Sequence, residues 1–180
     1  NRPIASQIGW SFGILNAVVA FAQVIVSNTT AANYSGPLVA LQSANNPYAG
    51  AIPLETLLPP VVVSVVSAAI GGIISLVFAF LAAKRTARAT RDAALGQRAA
   101  IITALTGMLA WAILAAIGPI TSGTDGFVLA VDTFSKTPVG DQVSGIILLA
   151  VVRALVIGGL TLIPAWIFGI MGAQAGKDQA

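Results

Sequence analysis

The chain has 180 residues, of which 57% are hydrophobic and 8% charged, with nine Lys and Arg against six Asp and Glu for a net charge of +3. So few charges cannot cover the surface of a water-soluble globule, where about a quarter of residues are charged. The absence of Cys and His removes disulfides, thiolate sites, an imidazole base and the ordinary protein ligands of zinc and haem.

Four apolar stretches, at about 8–27, 58–83, 99–120 and 144–173, each contain the roughly 20 residues needed to cross a hydrocarbon core about 30 Å thick. None of them contains an acidic residue. They lack the two-residue alternation of barrel strands, and a backbone in lipid must satisfy its own hydrogen bonds. The expected fold is therefore an all-α integral membrane protein, a single domain over 1–180 built as a four-transmembrane-helix bundle with two extracytoplasmic loops. The first stretch is long for a signal peptide and no convincing A-x-A site follows it, so it is read as a retained span.

The first span carries two amides, Asn16 and Gln23, which their seven-residue separation places on one helical face. Three roles are open to them: lining a conduction path, hydrogen-bonding a pigment or quinone, or bridging to a neighbouring helix. The bridge is the commoner role. Trp10 and Phe12 near the inner end of this span fit an interfacial aromatic belt.

Between the first two spans, 28–57 is expected to be an ordered outer loop. It holds the turn formers Ser35-Gly36-Pro37 and Asn45-Asn46-Pro47. Asn28-Thr29-Thr30 and Asn33-Tyr34-Ser35 match the N-glycosylation pattern, which in so short a motif carries little weight.

The second span places Ser67, Gly71, Ser75, Ala79 and Ala83 at strict four-residue spacing, with Ser64, Ala68 and Gly72 on the adjoining stripe. Small side chains let membrane helices approach closely. This stripe meets either another chain or the protein's own third or fourth span.

The basic segment 84–98 follows, and is expected to extend the flanking helices beyond the membrane until Gly96 interrupts them. Lys84, Arg85, Arg88, Arg91 and Arg98 are candidates for contact with anionic lipid or an acidic partner, beside the plainer role of a topology signal. Nucleic-acid binding is not expected, because no aromatic platform accompanies the basic residues.

In the third span, Trp111 sits nearer the middle, where it would pack on a partner or a flat cofactor. The second outer loop, 121–143, carries Phe127, Val128, Leu129, Val131 and Phe134 and is expected to cap the bundle together with the first. The fourth span repeats the small-residue stripe with Thr161, Ala165, Gly169 and Ala173, is interrupted by Pro164, and bears Trp166 and Phe168 near its inner end.

Arg153 is the one ionised residue within an apolar stretch. At mid-bilayer it would mark a functional site; because the stretch exceeds the hydrocarbon thickness, the favoured reading has it reaching the outer interface beside lipid phosphate, Glu55 or Asp141.

Charge sets the expected orientation. Arg2, the five basic residues of 84–98 and Lys177 lie on one side, and Lys136 alone on the other with Glu55, Asp125, Asp132 and Asp141. The Lys/Arg excess places both termini and the middle segment in the cytoplasm.

No residue constellation suits catalysis, since carboxylates are confined to the ends and gaps and no nucleophile has an evident base. The expected function is a non-catalytic accessory or structural subunit of a larger membrane complex, with other integral membrane subunits and lipids as partners. A respiratory or photosynthetic complex is the first host to examine, by analogy of class. The alternative is a small oligomeric channel or transporter. No cofactor motif is present; chlorophyll or carotenoid would have to bind by apolar contact, an amide or a backbone carbonyl.

Overall fold

A computed structural model describes the backbone of residues 1–43, 54–122 and 143–178, with side chains mainly over 1–26, 65–114 and 158–178. The described residues form four helices, α1 (Arg2–Ser43), α2 (Leu54–Thr90), α3 (Ala93–Ser122) and α4 (Val143–Lys177). All four are long and apolar enough to cross a membrane.

At 42, 37, 30 and 35 residues, the helices run about 45–63 Å at 1.5 Å per residue, longer than a bilayer's hydrocarbon core is thick. The largest departure from the sequence expectation lies here. α1 continues as helix through 28–43, and α2 begins at Leu54, so most of the segment read as a loop is helical. Turn formers are a weak prior once a helix exists, because each further residue adds a backbone bond without a new nucleation step. Thr29 already conforms, its hydroxyl donating to the Ile25 carbonyl at 2.8 Å. Of the second expected loop, 123–142 lies outside the described residues.

α2 and α3 are joined by a two-residue turn, and the break falls at Arg91-Asp92 and not at Gly96. Arg91 adopts a left-handed backbone, φ 55°. Asp92 then caps α3: its Oδ1 accepts from the amides of Ala94 (2.8 Å) and Leu95 (3.4 Å), satisfying orphan donors and placing negative charge at a helix start. Gly96 is buried in the first turn of α3, where a Cβ would lie 2.7 Å from the Ala83 carbonyl oxygen. Close packing is its role, and spacing along the sequence does not separate that from a turn.

Facing residues give the directions. Gly9 and Gly13 of α1 meet Ile102 and Thr106 of α3, so these helices are parallel; Gly172 and Gly176 of α4 meet Phe80 and Lys84 of α2, which are parallel likewise. Consecutive helices are antiparallel. Seams form between α1 and α2, α1 and α3, α2 and α3, α2 and α4, and α3 and α4. Among the described residues α1 and α4 share no comparable seam, so they occupy the far corners while α2 and α3 form the short diagonal.

The core is made of small side chains. Ala79, Ala83, Ala87, Ala100, Ala104, Ala165 and Ala173 form its main cluster, while Ile14, Val18, Phe21, Ile73, Ile113, Leu160 and Ile163 point outward. Water would drive the opposite sorting. In lipid, the environment that the length and composition of the four helices suit, burial of a large apolar chain would yield no transfer gain, and close backbone approach through small residues would hold the helices instead.

Candidate functional site

The amides of α1 define the polar centre of the bundle. Asn16 is 4% exposed; its Nδ2 donates to Ser75 Oγ on α2 at 2.9 Å and to the Thr103 carbonyl on α3 at 3.2 Å. Two turns further along α1, Gln23 Nε2 donates to the Ser67 carbonyl at 2.8 Å. Thr103 is fully buried, and its hydroxyl proton is shared between the carbonyls of Ala99 (2.9 Å) and Gly9 (3.1 Å).

Glycines make room for these amides. A Cβ on Gly107 would overlap the Asn16 amide, and one on Gly71 would overlap that of Gln23. The Asn16 and Gln23 side chains therefore act as bridges from α1 to both members of the short diagonal.

The α2 stripe divides along its length. Ser67, Gly71 and Ser75 face the α1 amides, whereas Ala79 and Ala83 are fully buried in the alanine core with α3 and α4. On α4, Ala165 and Ala173 join that core, and a Cβ on Gly169 would lie 2.8 Å from Ala100 Cβ. The Thr161 hydroxyl donates within its own helix to the Gly158 carbonyl at 2.8 Å. Both stripes thus meet the protein's own helices. The adjoining positions do face outward: Ala68 is exposed, and a Cβ on Gly72 would meet nothing within 4 Å.

The basic residues around the α2–α3 turn do not form one cluster. Arg85 stacks its guanidinium over the Phe12 ring, 5.6 Å from the centroid, at the edge of the α1–α2 seam. Phe12 is correspondingly buried, 6.1 Å from Phe78, and is no part of an exposed aromatic belt. Lys84 is half-buried with its carbonyl against Gly176 of α4. Arg98 shares the exposed stripe of α3 with Ile101 and Leu105. Arg88 and Arg91 are exposed. Arg153 lies on α4, but its side chain is outside the described residues, as are those of Glu55 and Asp141.

Trp10 and Trp166 remain outward-facing, at 56% and 49% exposure. Trp111 is half-buried on α3. One further polar group stands out: the Thr86 hydroxyl is fully buried and has no hydrogen-bond partner among the described residues.

Several residues at the seams were not singled out by sequence reasoning. Gly9 and Gly13 admit α3 so closely that a Cβ on Gly9 would lie 3.1 Å from the Ala99 carbonyl oxygen. Their four-residue spacing inside an apolar stretch was a readable signal. Gly172 and Gly176 bear on the backbone of α2 at Phe80 and Lys84, and the same spacing marks them.

The fold and its seams define a class: a four-helix bundle of membrane-spanning dimensions, small-cored, with a polar bridge centred on one outer helix. No family model matches the chain, and comparison with curated proteins and with solved structures finds no match.

Proposed function

We propose that this protein is a non-catalytic accessory or structural subunit of a larger membrane complex. The observation that carries this reading is where the polar side chains go. Asn16, Gln23, Ser75 and Thr103 are engaged by the chain's own helices, while the outward faces of the described spans carry Ile, Leu, Val, Phe and Trp. Such a surface offers contact to lipid and neighbouring helices, with no polar row to line a conduction path. The outward Ala68 and Gly72 leave a low strip on α2 where a partner helix can approach closely. An energy-transducing host remains the first to test, by the same analogy of class.

Gentle extraction, followed by native-gel separation, mass spectrometry and an absorption spectrum, tests the assignment. Co-migration with larger, different integral subunits is expected. A pigment-free homo-oligomer that conducts ions after reconstitution would replace this reading with the channel.

The proposed orientation puts both termini and the α2–α3 turn in the cytoplasm, on the strength of the Lys/Arg excess there. The absence of native cysteine makes single-cysteine labelling clean. In intact cells an impermeant maleimide should label Asp132→Cys and spare Asp178→Cys; the reverse pattern would invert the topology.

A further inference from the structure

We propose that the inner edge of the α1–α2 seam is a binding site for one anionic phospholipid, with Arg85 as its phosphate anchor and Phe12 as the platform that orients it. The proposal rests on reading the four helices as membrane spans, and it adds a ligand that the subunit assignment does not require.

The geometry begins with the direction of the Arg85 side chain. Helical side chains lean towards the N-terminus of their own helix, which for α2 means back towards the membrane. The stack on Phe12 holds the guanidinium there, over a ring that belongs to the cluster with Ala82, Ala99, Ile8, Phe78 and Leu81. The charge thus sits at the level where the apolar wall ends.

One face of α2 carries the sequence of surfaces that a lipid needs. Phe78, Leu81, Arg85 and Arg88 recur at three- and four-residue steps, apolar towards the bilayer centre and basic towards the inner end. Across the seam, Ile4, Ile8 and Leu15 lie along α1, with Ile4 and Leu15 exposed. Acyl chains would lie on the apolar part and the headgroup on the two arginines.

The guanidinium is also without a competing anion. Among the described residues no carboxylate pairs with Arg85, whose guanidinium lies over the Phe12 ring. Asp92 is spent on capping α3. A guanidinium held over an aromatic face by a cation–π contact can still direct N–H donors to a phosphate diester. Arg85 is exposed, as a site open to a lipid requires.

The test uses the full chain, purified in detergent and delipidated, with phosphatidylglycerol or phosphatidylcholine added and bound lipid counted by native mass spectrometry. Phosphatidylglycerol should be retained in preference to phosphatidylcholine. Arg85→Gln should weaken that retention about fivefold, the worth of one basic residue near a lipid surface. Phe12→Leu, which keeps every charge, should weaken it about two- to fivefold through loss of the cation–π stack. Arg85→Lys should fall between the wild type and Arg85→Gln. Arg98→Gln removes the same charge from the outward face of α3 and should change retention less than about twofold.

Equal losses for Arg85→Gln and Arg98→Gln would reduce the site to diffuse charge and overturn the proposal, as would retention of phosphatidylcholine equal to that of phosphatidylglycerol. Inorganic phosphate displacing the lipid completely would also overturn it, since the acyl chains would then contribute nothing. Unchanged helicity by circular dichroism separates loss of the site from loss of the fold, with Arg85→Lys as the milder variant. A chain that stays soluble and monodisperse without detergent would instead remove the membrane reading beneath the proposal.

Discussion

α1 and α4 occupy the two far corners of the same bundle; both make a close approach through glycine, and α1 adds polar bridges to it. α1 reaches across its seams with amides, Asn16 to Ser75 and Thr103 and Gln23 to Ser67. α4 makes a close approach, with Gly172 and Gly176 against the backbone of α2 and Ala165, Gly169 and Ala173 in the alanine core. With lipid as the surrounding solvent, neither seam would draw on the hydrophobic effect. The contrast predicts two kinds of fragility: the α4 seam should fail on added volume, and the α1 seam on added volume at Gly9 or Gly13 and also on lost polarity.

The largest effect is expected from filling the α4 seam. Gly172→Leu places a side chain against the Phe80 carbonyl, where the obstruction is backbone that cannot rotate away. A loss of about 3 kcal/mol, near the upper end for overpacking, should appear in unfolding by sodium dodecyl sulfate titration. Gly159→Leu on the same helix, where a Cβ meets nothing within 4 Å, should cost far less. Equal losses at both positions would dissolve the contrast.

Removing the bridge from α1 should cost less. Asn16→Leu gives up two hydrogen bonds and fits poorly beside Gly107, for an expected loss of about 1–2 kcal/mol in the same titration. Gly107→Ala should be destabilising in the wild type and nearly neutral in an Asn16→Ala background, because the Asn16 amide is what its Cβ would strike. Additive losses in that double-mutant cycle would show that the two residues do not meet.

Two smaller changes should stabilise. Thr86→Val removes a buried hydroxyl that has no partner among the described residues, while keeping the shape of the side chain. A gain of up to about 1 kcal/mol is expected. Arg91→Gly relieves a left-handed backbone at φ 55° and should raise the unfolding free energy by about 1 kcal/mol or less, the usual preference for glycine there. A loss at either position would mean that the native side chain holds a contact beyond those described.

The same contrast explains which parts of the bundle were legible along the chain. The helix count and the interiors of the spans follow from apolar length, because lipid allows only backbones that satisfy themselves. The stripes on α2 and α4 were legible as close-packing surfaces, since four-residue spacing of small side chains has one physical use. Their partner was not, because spacing says that a face is flat and not what lies on it. Phe12 shows the same limit: an aromatic near a span end reads as an interfacial anchor, and only the position of α2 turns it into a buried platform for Arg85.

The break between α2 and α3 was misplaced for a related reason. Gly96 and Asp92 are both ordinary helix punctuation, and choosing between them depends on what stands beside each. With Ala83, Ala87 and Ala173 packed around it, Gly96 has to be small; Asp92, exposed at the turn, is free to cap.

By itself, then, the amino-acid sequence determined that this is a helical chain with four spans of membrane length, and which faces of two of those helices are small. Both follow from local composition, since span length and side-chain size need no knowledge of neighbours. Only the tertiary structure decided that α1 and α4 stand apart, that Asn16 and Gln23 turn inward onto α2 and α3, and that Arg85 is singled out from the other basic residues. Those outcomes depend on which helix lies against which, and in lipid, where every apolar face is equally well solvated, that choice is made by the detailed fit between helices.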